Sequence, residues 1–398
     1  MNKRISVGVA VSLVLIAVAI TFTAATIFSM NQFDSKVSSA SQRATFYDKL
    51  SEIEKIVRSN YYGDIDDTAL YTATAEGYIS GLGDVGSQYL TAEQIAAREA
   101  SMNGTTVGFG IGVERNASGY MVINRVTPDS SADSMGLQTG DIITKIDDLD
   151  VLSIGYDAAY EMLGGTEGST ATIVYNRSGS EETVELTRTT TESTSVVYTK
   201  IDDIGYIRVD AMNSTTAAQF SRVITEAQTE TDISGIVVDL RDTSGGYDIS
   251  VAASMLEAIL PSGPMINGRY KDDELKTLFT SSSSGISSPL AVLINENTTG
   301  FTELIAAVVA DEYENGVVVG KTSAGRGTLQ QLVKLSDGSG VDITVAELLT
   351  PSGTSFDGVG VTPRYEVDAG ENFILTTPPD ELSDAQYARA AEALRAMS

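Results

Sequence analysis

Short patterns of buried strands alternate with helical patterns after residue 195, and this alternation restricts the fold more than any other feature of the chain. The strand patterns include residues 205–209 and 235–241, and a helical pattern over residues 216–227 separates them. Strands that alternate with helices are typical of α/β domains. We therefore predict an α/β core over residues 193–370, followed by a helical tail over residues 371–398.

Composition limits the chemistry of such a core. The chain has no histidine and no cysteine. These absences exclude a Ser-His-Asp triad, a histidine or thiolate metal site, a cysteine nucleophile and a disulfide. Chemistry by Ser or Thr with Lys, or by carboxylates, remains open. No P-loop motif occurs, so we predict no cofactor and assign no metal ligand, although the many acidic residues still allow an oxygen-ligated calcium site.

Charge narrows the class of partner. The chain carries 54 acidic and 26 basic residues, a formal net charge of −28. This charge repels nucleic acids and favours solubility, so we predict no nucleic-acid binding. The length of 398 residues, 42% of them hydrophobic, is enough for two or three folded domains.

The first thirty residues have the pattern of a membrane anchor. Lys3 and Arg4 precede an apolar or small-residue run from residue 5 to about residue 28. About 20 such residues span a bilayer core, whereas a cleaved signal peptide has an apolar region of about 7 to 15. We predict one transmembrane helix over residues 1–30, which places the protein at the cell membrane with the bulk of the chain extracytoplasmic. Cleavage near residues 23–25 is the alternative.

Residues 31–104 form a predicted N-terminal helical segment. Phe46, Leu50 and Ile53 begin a series of apolar residues at three- and four-residue steps, and a second helical stretch follows Asp67. The next segment, residues 105–192, instead contains short β patterns with one helical pattern. The chain therefore changes its type of structure near residue 105.

Two glycine motifs lie in the β segment. Residues 108–112 read GFGIG and open a strand that continues through Val113, and residues 132–143 read ADSMGLQTGDII. Together the two motifs resemble PDZ domains of the bacterial type. In such a domain a glycine-rich turn leaves N–H groups free for a terminal carboxylate, and the following strand accepts an extended peptide. With the helix over residues 156–163, the predicted peptide-binding residues are Gly108, Phe109, Gly110, Ile111, Gly112, Val113 and Leu163.

A second resemblance lies in residues 295–331. Glu303 opens a predicted helix, and residues 325–330 read GRGTLQ. In sequence and spacing this stretch resembles the carboxyl-terminal processing, or tail-specific, serine peptidases, and the similarity extends over about residues 45–398. In that family the nucleophilic Ser lies three residues before the Glu, and the catalytic Lys lies between the two glycines. The resemblance therefore implies that Gly300 occupies the nucleophile position and Arg326 the base position.

The same resemblance assigns further residues to the site. Gln330 matches the residue that orients the base, and the Gly245–Gly246 turn matches one that supplies an oxyanion-hole N–H group. Without the resemblance, this turn is an ordinary strand-to-helix turn that needs φ > 0 at glycine, with Asp239 and Arg241 as an internal ion pair.

Neither catalytic position holds its catalytic residue type. Gly300 has no side chain that can attack a carbonyl, and Arg326 carries a guanidinium, a group that does not act as a free base at neutral pH. Neighbouring groups that could replace them are Thr298, Thr299, Thr302 and Lys321. On a helix Thr302 would point roughly 200° away from position 300, and we predict capping and loop roles for the threonines.

The leading prediction is a membrane-anchored pseudopeptidase that binds the C-terminal tails of unfolded or secreted proteins without cleaving them. Homo-oligomers and an active peptidase relative are further partners to consider. One alternative is an active serine-type endopeptidase that processes the C-termini of secreted or envelope proteins. Another is a structural envelope protein, which would have an occluded PDZ groove and no peptide affinity.

Overall fold

The computed structural model describes residues 44–116, 118–370, 373 and 375–398. The predicted anchor, residues 1–30, lies outside these ranges, and within them no helix is long and apolar enough to cross a membrane. The chain divides into two compact units between Thr74 and Ala75.

Both predicted helices of the N-terminal segment are confirmed, as α1 (44–60) and α2 (Asp67–Ser80). Arg58 on α1 donates hydrogen bonds to Glu54 at 3.1 Å and to Asp67 at 2.6 Å. The apolar residues Phe46 and Ile53 are exposed. The periodicity of α1 therefore predicted a helix correctly, although these side chains enter no core.

The remainder of this segment is not purely helical. Strand β1 (Gln88–Leu90) pairs antiparallel with the core strand Gly340–Leu349, and helix α3 (Ala92–Met102) follows it. Thr91 caps α3 by accepting a hydrogen bond from the Gln94 N–H group, while the Gln94 side chain accepts from the Thr91 N–H group. Residues 88–90, which lie in the segment predicted to be helical, thus form a strand of the core.

Residues 105–192 form a β domain with its own hydrophobic core. An antiparallel sheet has the strand order β3-β4-β5-β7-β8, β6 pairs with β5, and β2 pairs with β9. Its elements are β2 (Thr105–Gly108), β3 (Ile111–Arg115), β4 (Met121–Val126), α4 (Ser131–Ser134), β5 (Ile142–Ile146), β6 (Leu149–Asp150), α5 (Val151–Ile154), α6 (Tyr156–Glu161), β7 (Thr170–Arg177), β8 (Ser180–Thr187) and β9 (Thr189–Glu192). Because β3 lies at an edge of the sheet, one side of this strand has no partner strand among the described residues.

The predicted α/β core is confirmed. Its elements are β10 (Val196–Ile201), β11 (Ile204–Val209), α7 (Thr216–Thr229), β12 (Gly235–Asp239), α8 (Ile249–Ile259), β13 (Gly263–Tyr270), β14 (Leu275–Ser281), β15 (Leu290–Ile294), α9 (Phe301–Glu312), β16 (Gly316–Gly320), β17 (Thr328–Lys334), β18 (Gly340–Leu349), β19 (Tyr365–Glu366) and α10 (Ala385–Arg395). A short 3₁₀ turn joins β13 to β14.

One sheet of the core has the order β10-β11-β12-β15-β16-β19, and its strands from β11 onward are parallel. Ile236 and Val238 of β12 face the core beneath α7, α8 and α9, whereas Val237 faces the opposite side. Both faces are covered, which is why β12 and β15 are apolar almost throughout. A second sheet, β1-β18-β13-β14 with β17 on β18, is antiparallel.

Helix α10, which lies in the predicted helical tail, packs on the core. Tyr387 and Leu394 of α10 pack against Val237 and neighbouring residues on the second face of the parallel sheet. The predicted ion pair between Asp239 and Arg241 is confirmed at 2.5 Å, and Asp384 joins Arg241 at 2.8 Å. This buried network ties the beginning of α10 to the end of β12.

Candidate functional site

Three loops meet at the carboxyl edge of the parallel sheet. They follow the neighbouring strands β12, β15 and β16 and comprise residues 240–248, 295–300 and 321–327. The carboxyl ends of adjacent parallel strands share one edge, so loops that are distant in sequence come together there. This edge carries all the predicted catalytic positions except Gln330.

Gly300 is the turn residue between β15 and α9. Its backbone has φ 68° and ψ −124°, a conformation that costs a residue with a side chain about 1–3 kcal/mol. A strained strand-to-helix turn is also the geometry that exposes the nucleophile of G-x-S-x-G hydrolases. A Cβ atom added to Gly300 would approach no atom closer than 3.9 Å, the distance to Gly245 Cα. The turn therefore has room for a side chain and contains none.

The buried Glu303 holds two of the loops together. Its Oε2 atom accepts hydrogen bonds from the N–H groups of Gly300 and Arg326, both at 2.8 Å. Its Oε1 atom accepts from the Ser323 hydroxyl and the Gly325 N–H group, both at 2.6 Å. The amide nitrogens of Gly300 and Arg326 share one oxygen and thus lie no further apart than twice 2.8 Å. The structure brings the two predicted catalytic positions together.

Arg326 is held between two closely packed glycines. A Cβ atom on Gly325 would lie 2.9 Å from Gly360 N, and one on Gly327 would lie 2.7 Å from Asp357 N. The Arg326 side chain is exposed, and its guanidinium makes no hydrogen bond or ion pair with any described residue. The base position therefore presents a permanent, unpaired positive charge.

The Gly245–Gly246 turn packs against the start of α9. A Cβ atom on Gly245 would lie 2.0 Å from Phe301 N, so only glycine fits there. The Gly245 N–H group is bonded to Thr299 O at 2.7 Å, which leaves it unavailable to a ligand. Among the described residues no acceptor binds the N–H groups of Gly246 and Phe301. If an oxyanion binds at this turn, its donors are the N–H groups of Gly246 and Phe301.

Gln330 lies on β17. Its Nε2 atom donates to Thr328 at 2.6 Å and to Thr344 at 3.3 Å, and a Cβ atom on Gly86 would approach it to 2.5 Å. No hydrogen bond joins Gln330 to Arg326 in the described part of the chain. Gln330 therefore packs on the segment before α3 and does not orient the base position.

Most of the neighbouring residues that could replace the nucleophile or the base already bond to other groups. The buried Thr298 hydroxyl donates to Leu240 O, and the buried Thr302 hydroxyl donates to Thr243 O, both at 2.9 Å. Lys321 contacts Asp368 at 2.5 Å, and this hydrogen bond raises the pKa of Lys321 above its ordinary value. A lysine with a raised pKa is a poor general base at neutral pH. The half-buried Thr299 hydroxyl, by contrast, has no hydrogen bond within the described residues.

The predicted carboxylate-binding turn has free donors. The N–H groups of Phe109 and Gly110 make no hydrogen bond within the described ranges. Gly110 has φ 79°, and a Cβ atom there would lie 2.1 Å from Ser130 Cβ. Phe109 is almost fully buried in the domain core, whereas Ile111 and Val113 are half-buried on β3. The turn and the strand thus have the geometry that peptide addition requires.

Tyr156, the first residue of α6, crosses this groove. Asn116 N is bonded to Tyr120 O, and alternation along the antiparallel pair then puts the Val113 carbonyl on the unpaired side of β3. The Tyr156 hydroxyl donates to that carbonyl at 3.2 Å. One backbone acceptor of the groove is therefore occupied by the protein itself.

Comparison with known proteins identifies the two domains. A model of the PDZ domain matches residues 107–187, and a model of peptidase family S41 matches residues 203–367. The chain belongs to the carboxy-terminal processing protease family. Both matches lie within the predicted segments 105–192 and 193–370 of this S41 chain.

Relatives of this family align with most of the chain. The carboxy-terminal processing protease CtpA of Bacillus subtilis is 26% identical over 333 residues, which are 83% of this chain and 71% of that protein. A Staphylococcus epidermidis protein named as a CtpA-like serine protease is 26% identical over 336 residues, 83% of this chain and 67% of that protein. A Bacteroides fragilis structure assigned to the S41 proteases has a TM-score of 0.50 at 16% identity and covers 87% of this chain and 97% of its own, which shows the fold.

Sequence reasoning missed three functional candidates. The Phe301 N–H group was predictable, because the first residue of a helix has no intrahelical acceptor for its N–H. The contact of Ser323 with Glu303 joins residues 20 positions apart, and that of Tyr156 with Val113 joins residues 43 apart. No local pattern indicates such contacts.

Proposed function

We propose that this chain is a pseudopeptidase of the carboxy-terminal processing family that binds C-terminal tails of unfolded or secreted proteins through its PDZ domain and leaves them uncut. The observation that carries the proposal is the pairing of Gly300 with Arg326 at one buried carboxylate, Glu303. The two positions are assembled, yet one has no side chain and the other has a guanidinium.

A serine-type mechanism needs an oxygen nucleophile and a base that removes its proton. Glycine supplies no nucleophile, and a guanidinium has no useful population of free base at neutral pH. Thr298 and Thr302 point their hydroxyls at backbone carbonyls, and Lys321 is bound to Asp368. The cleft has N–H donors that would hold a peptide carbonyl, but the nucleophile and base positions carry no reactive side chain. A bound tail would therefore stay intact.

Tail binding is supported by the groove itself. β3 is an edge strand that can add an extended peptide, and the Phe109 and Gly110 N–H groups are free for a terminal carboxylate. Arg326 adds a positive charge at the cleft that would favour a carboxylate of the same tail. With residues 1–30 as an anchor, the protein would capture tails at the outer face of the cell membrane, alone, as a homo-oligomer or beside an active relative.

Restoring the missing groups tests this proposal. The full chain and the double variant Gly300→Ser with Arg326→Lys are incubated with an unfolded protein that has an apolar C-terminus, and products are identified by mass spectrometry. We expect cleavage only by the double variant. Gly300→Ala with Arg326→Lys is the matched control, because it has the same backbone strain and no hydroxyl.

An active peptidase is the second candidate, and one observation favours it. The Thr299 hydroxyl, adjacent to Gly300, has no hydrogen bond in the described part of the chain. Cleavage by the natural chain that is reduced less in Thr299→Ser, which keeps a hydroxyl, than in Thr299→Ala would establish this candidate. Absence of both cleavage and tail binding would instead favour a structural envelope protein.

A further inference from the structure

A cavity of about 400 Å³ lies beside the cleft. Tyr247, from the loop after β12, forms part of its wall, and the segment before the PDZ domain contributes Leu90 of β1 with Ala97 and Arg98 of α3. A cavity of this volume is large enough to enclose one large side chain of a bound polypeptide. None of its described lining residues belongs to the Gly300 turn or to the PDZ groove.

Tyr247 connects this cavity to the cleft. It directly follows Gly246, whose N–H group has no acceptor among the described residues. Successive residues of an extended polypeptide rise about 3.3 Å along its axis. A ligand whose carbonyl accepts a hydrogen bond from the Gly246 N–H group would therefore bring a neighbouring side chain within reach of the Tyr247 ring. The cavity is thus placed to receive a side chain of a polypeptide held in the cleft.

The charge of the cavity favours an uncharged side chain. Among its described lining residues Arg98 alone is charged, and the Arg98 guanidinium already pairs with Asp342 at 2.6 Å. The Arg98 Nε and Asp342 Oδ1 atoms have no partner in the described part of the chain, but both atoms are buried and out of reach of a ligand. A carboxylate or an ammonium group would therefore lose its hydration in this cavity without gaining an ionic partner.

The Tyr247 ring favours an aromatic side chain among the uncharged ones. The Arg98 guanidinium carbon lies 4.2 Å from the centre of this ring, so the salt-bridged arginine holds the ring in place. Even so, 47% of Tyr247 is exposed. Two aromatic rings attract each other beyond the burial of their apolar surfaces, and a ring already held by Arg98 loses little freedom when a ligand packs on it. The buried Leu90 adds apolar contact.

We infer that the cavity between Tyr247 and α3 is a side-chain subsite that selects an aromatic residue upstream of the tail of the bound polypeptide. This inference rests on the proposed tail binding, because the tail would hold the polypeptide while its upstream part lies in the cleft. Tyr247 contacts the aromatic residue directly, whereas Arg98 acts through Tyr247 as a positioning residue.

Ala97 allows the cavity to be filled without removing a contact. Ala97→Phe places a ring in the cavity, and Ala96→Phe is the matched control, because Ala96 is exposed on the same helix and does not line the cavity. Fluorescence anisotropy of the full chain would be measured with labelled peptides that share an apolar C-terminal tail. In one series a single Phe is moved along an upstream segment of Ser and Gly, and in matched series cyclohexylalanine or Ser replaces this Phe. A short peptide with the tail alone reports binding to the PDZ groove.

At one position, or a few adjacent ones, we expect Phe to bind about fivefold more tightly than cyclohexylalanine and about thirtyfold more tightly than Ser. Ala97→Phe should abolish both differences and Ala96→Phe neither. Tyr247→Leu should abolish only the difference between Phe and cyclohexylalanine, because it keeps an apolar wall without a ring. All variants should bind the tail alone as the natural chain does.

A second measurement locates the bound residue. Because the chain has no cysteine, Ala97→Cys introduces a unique thiol, and Ala96→Cys is its control. The best Phe peptide should slow alkylation of the thiol in Ala97→Cys and leave that in Ala96→Cys unchanged. Equal binding of the Phe and cyclohexylalanine series, or a Phe preference that survives in Ala97→Phe, would overturn the inference and leave tail binding in place. Failure of the natural chain to bind any of the peptides would instead remove the proposed function, and the inference with it.

Discussion

The cleft of the core and the groove of the PDZ domain differ in what remains of each site. In the cleft, Glu303 positions the Gly300 and Arg326 loops, and the two predicted catalytic positions hold a glycine and an arginine. In the groove, the N–H groups of the turn have no acceptor and one edge of β3 has no partner strand within the described part of the chain. The geometry of the cleft therefore depends on one buried carboxylate, Glu303, whereas the geometry of the groove depends on backbone groups.

The largest effect should come from Glu303→Gln. The amide nitrogen of Gln would face N–H donors that Glu303 now satisfies, so we expect the free energy of unfolding to fall by about 3 kcal/mol in urea titrations. Affinity of the groove for peptides should not change, because the groove lies in another domain. The exposed Glu296→Gln is the control, with an expected change within about 0.5 kcal/mol. A similar loss in both variants would contradict the positioning role of Glu303.

The strain at Gly300 should produce the next largest effect. Gly300→Ala should destabilise the chain by about 2 kcal/mol because of its positive φ, since space for the Cβ atom is available. Gly77, in α2, has an equally open Cβ position without a positive φ. Gly77→Ala should therefore stabilise by about 0.5–1 kcal/mol in the same thermal denaturation series. If Gly300→Ala and Gly77→Ala changed the stability in the same direction, the result would contradict a strained turn at Gly300.

Tyr156→Phe should strengthen the groove by a smaller amount. Removal of the hydroxyl frees the Val113 carbonyl for a peptide N–H group, and one hydrogen bond of about 1 kcal/mol corresponds to about fivefold in affinity. Anisotropy titrations would measure the change, with the exposed Tyr160→Phe as control. Weaker binding by Tyr156→Phe would mean that the hydroxyl contacts the ligand instead of competing with it.

The smallest effect concerns the attachment of α10 to the core. The hydrogen bond from Arg395 lowers the pKa of Asp203 to about 2, from 3.8. The carboxylate therefore stabilises the fold above pH 3.8, and this contribution is lost as the pH falls toward 2. Because the side chain is about one third exposed, Asp203→Asn should cost less than about 1 kcal/mol at pH 6 and only a small part of that at pH 2. Urea titrations of the natural chain and of Asp203→Asn at both pH values would measure the difference.

Much of the fold could be predicted because it depends on local patterns. The alternation of strands and helices after residue 195 and the glycine motifs of the PDZ domain predicted both domains, and Glu303 with the GRGTLQ run predicted where the cleft lies. The prediction for the N-terminal segment missed β1, because this strand pairs with residues more than 240 positions away. The predicted helical tail contains α10, but its packing against β12 depends on contacts that no local pattern indicates.

The details of the two sites could not be predicted from local patterns. That Gln330 bonds to Thr328 and Thr344 instead of serving the base position depends on the packing of Gly86. Such features follow from tertiary neighbours, which residue spacing does not specify.

The most direct test of binding without cleavage follows one ligand through both sites. The natural full chain is incubated with an unfolded protein that ends in an apolar tail, the complex is isolated, and the intact mass of the bound protein is measured over time. We expect the ligand to be recovered at full length with its C-terminus in the complex. Progressive loss of C-terminal residues, absent in a preparation of the Thr299→Ala variant, would contradict the account.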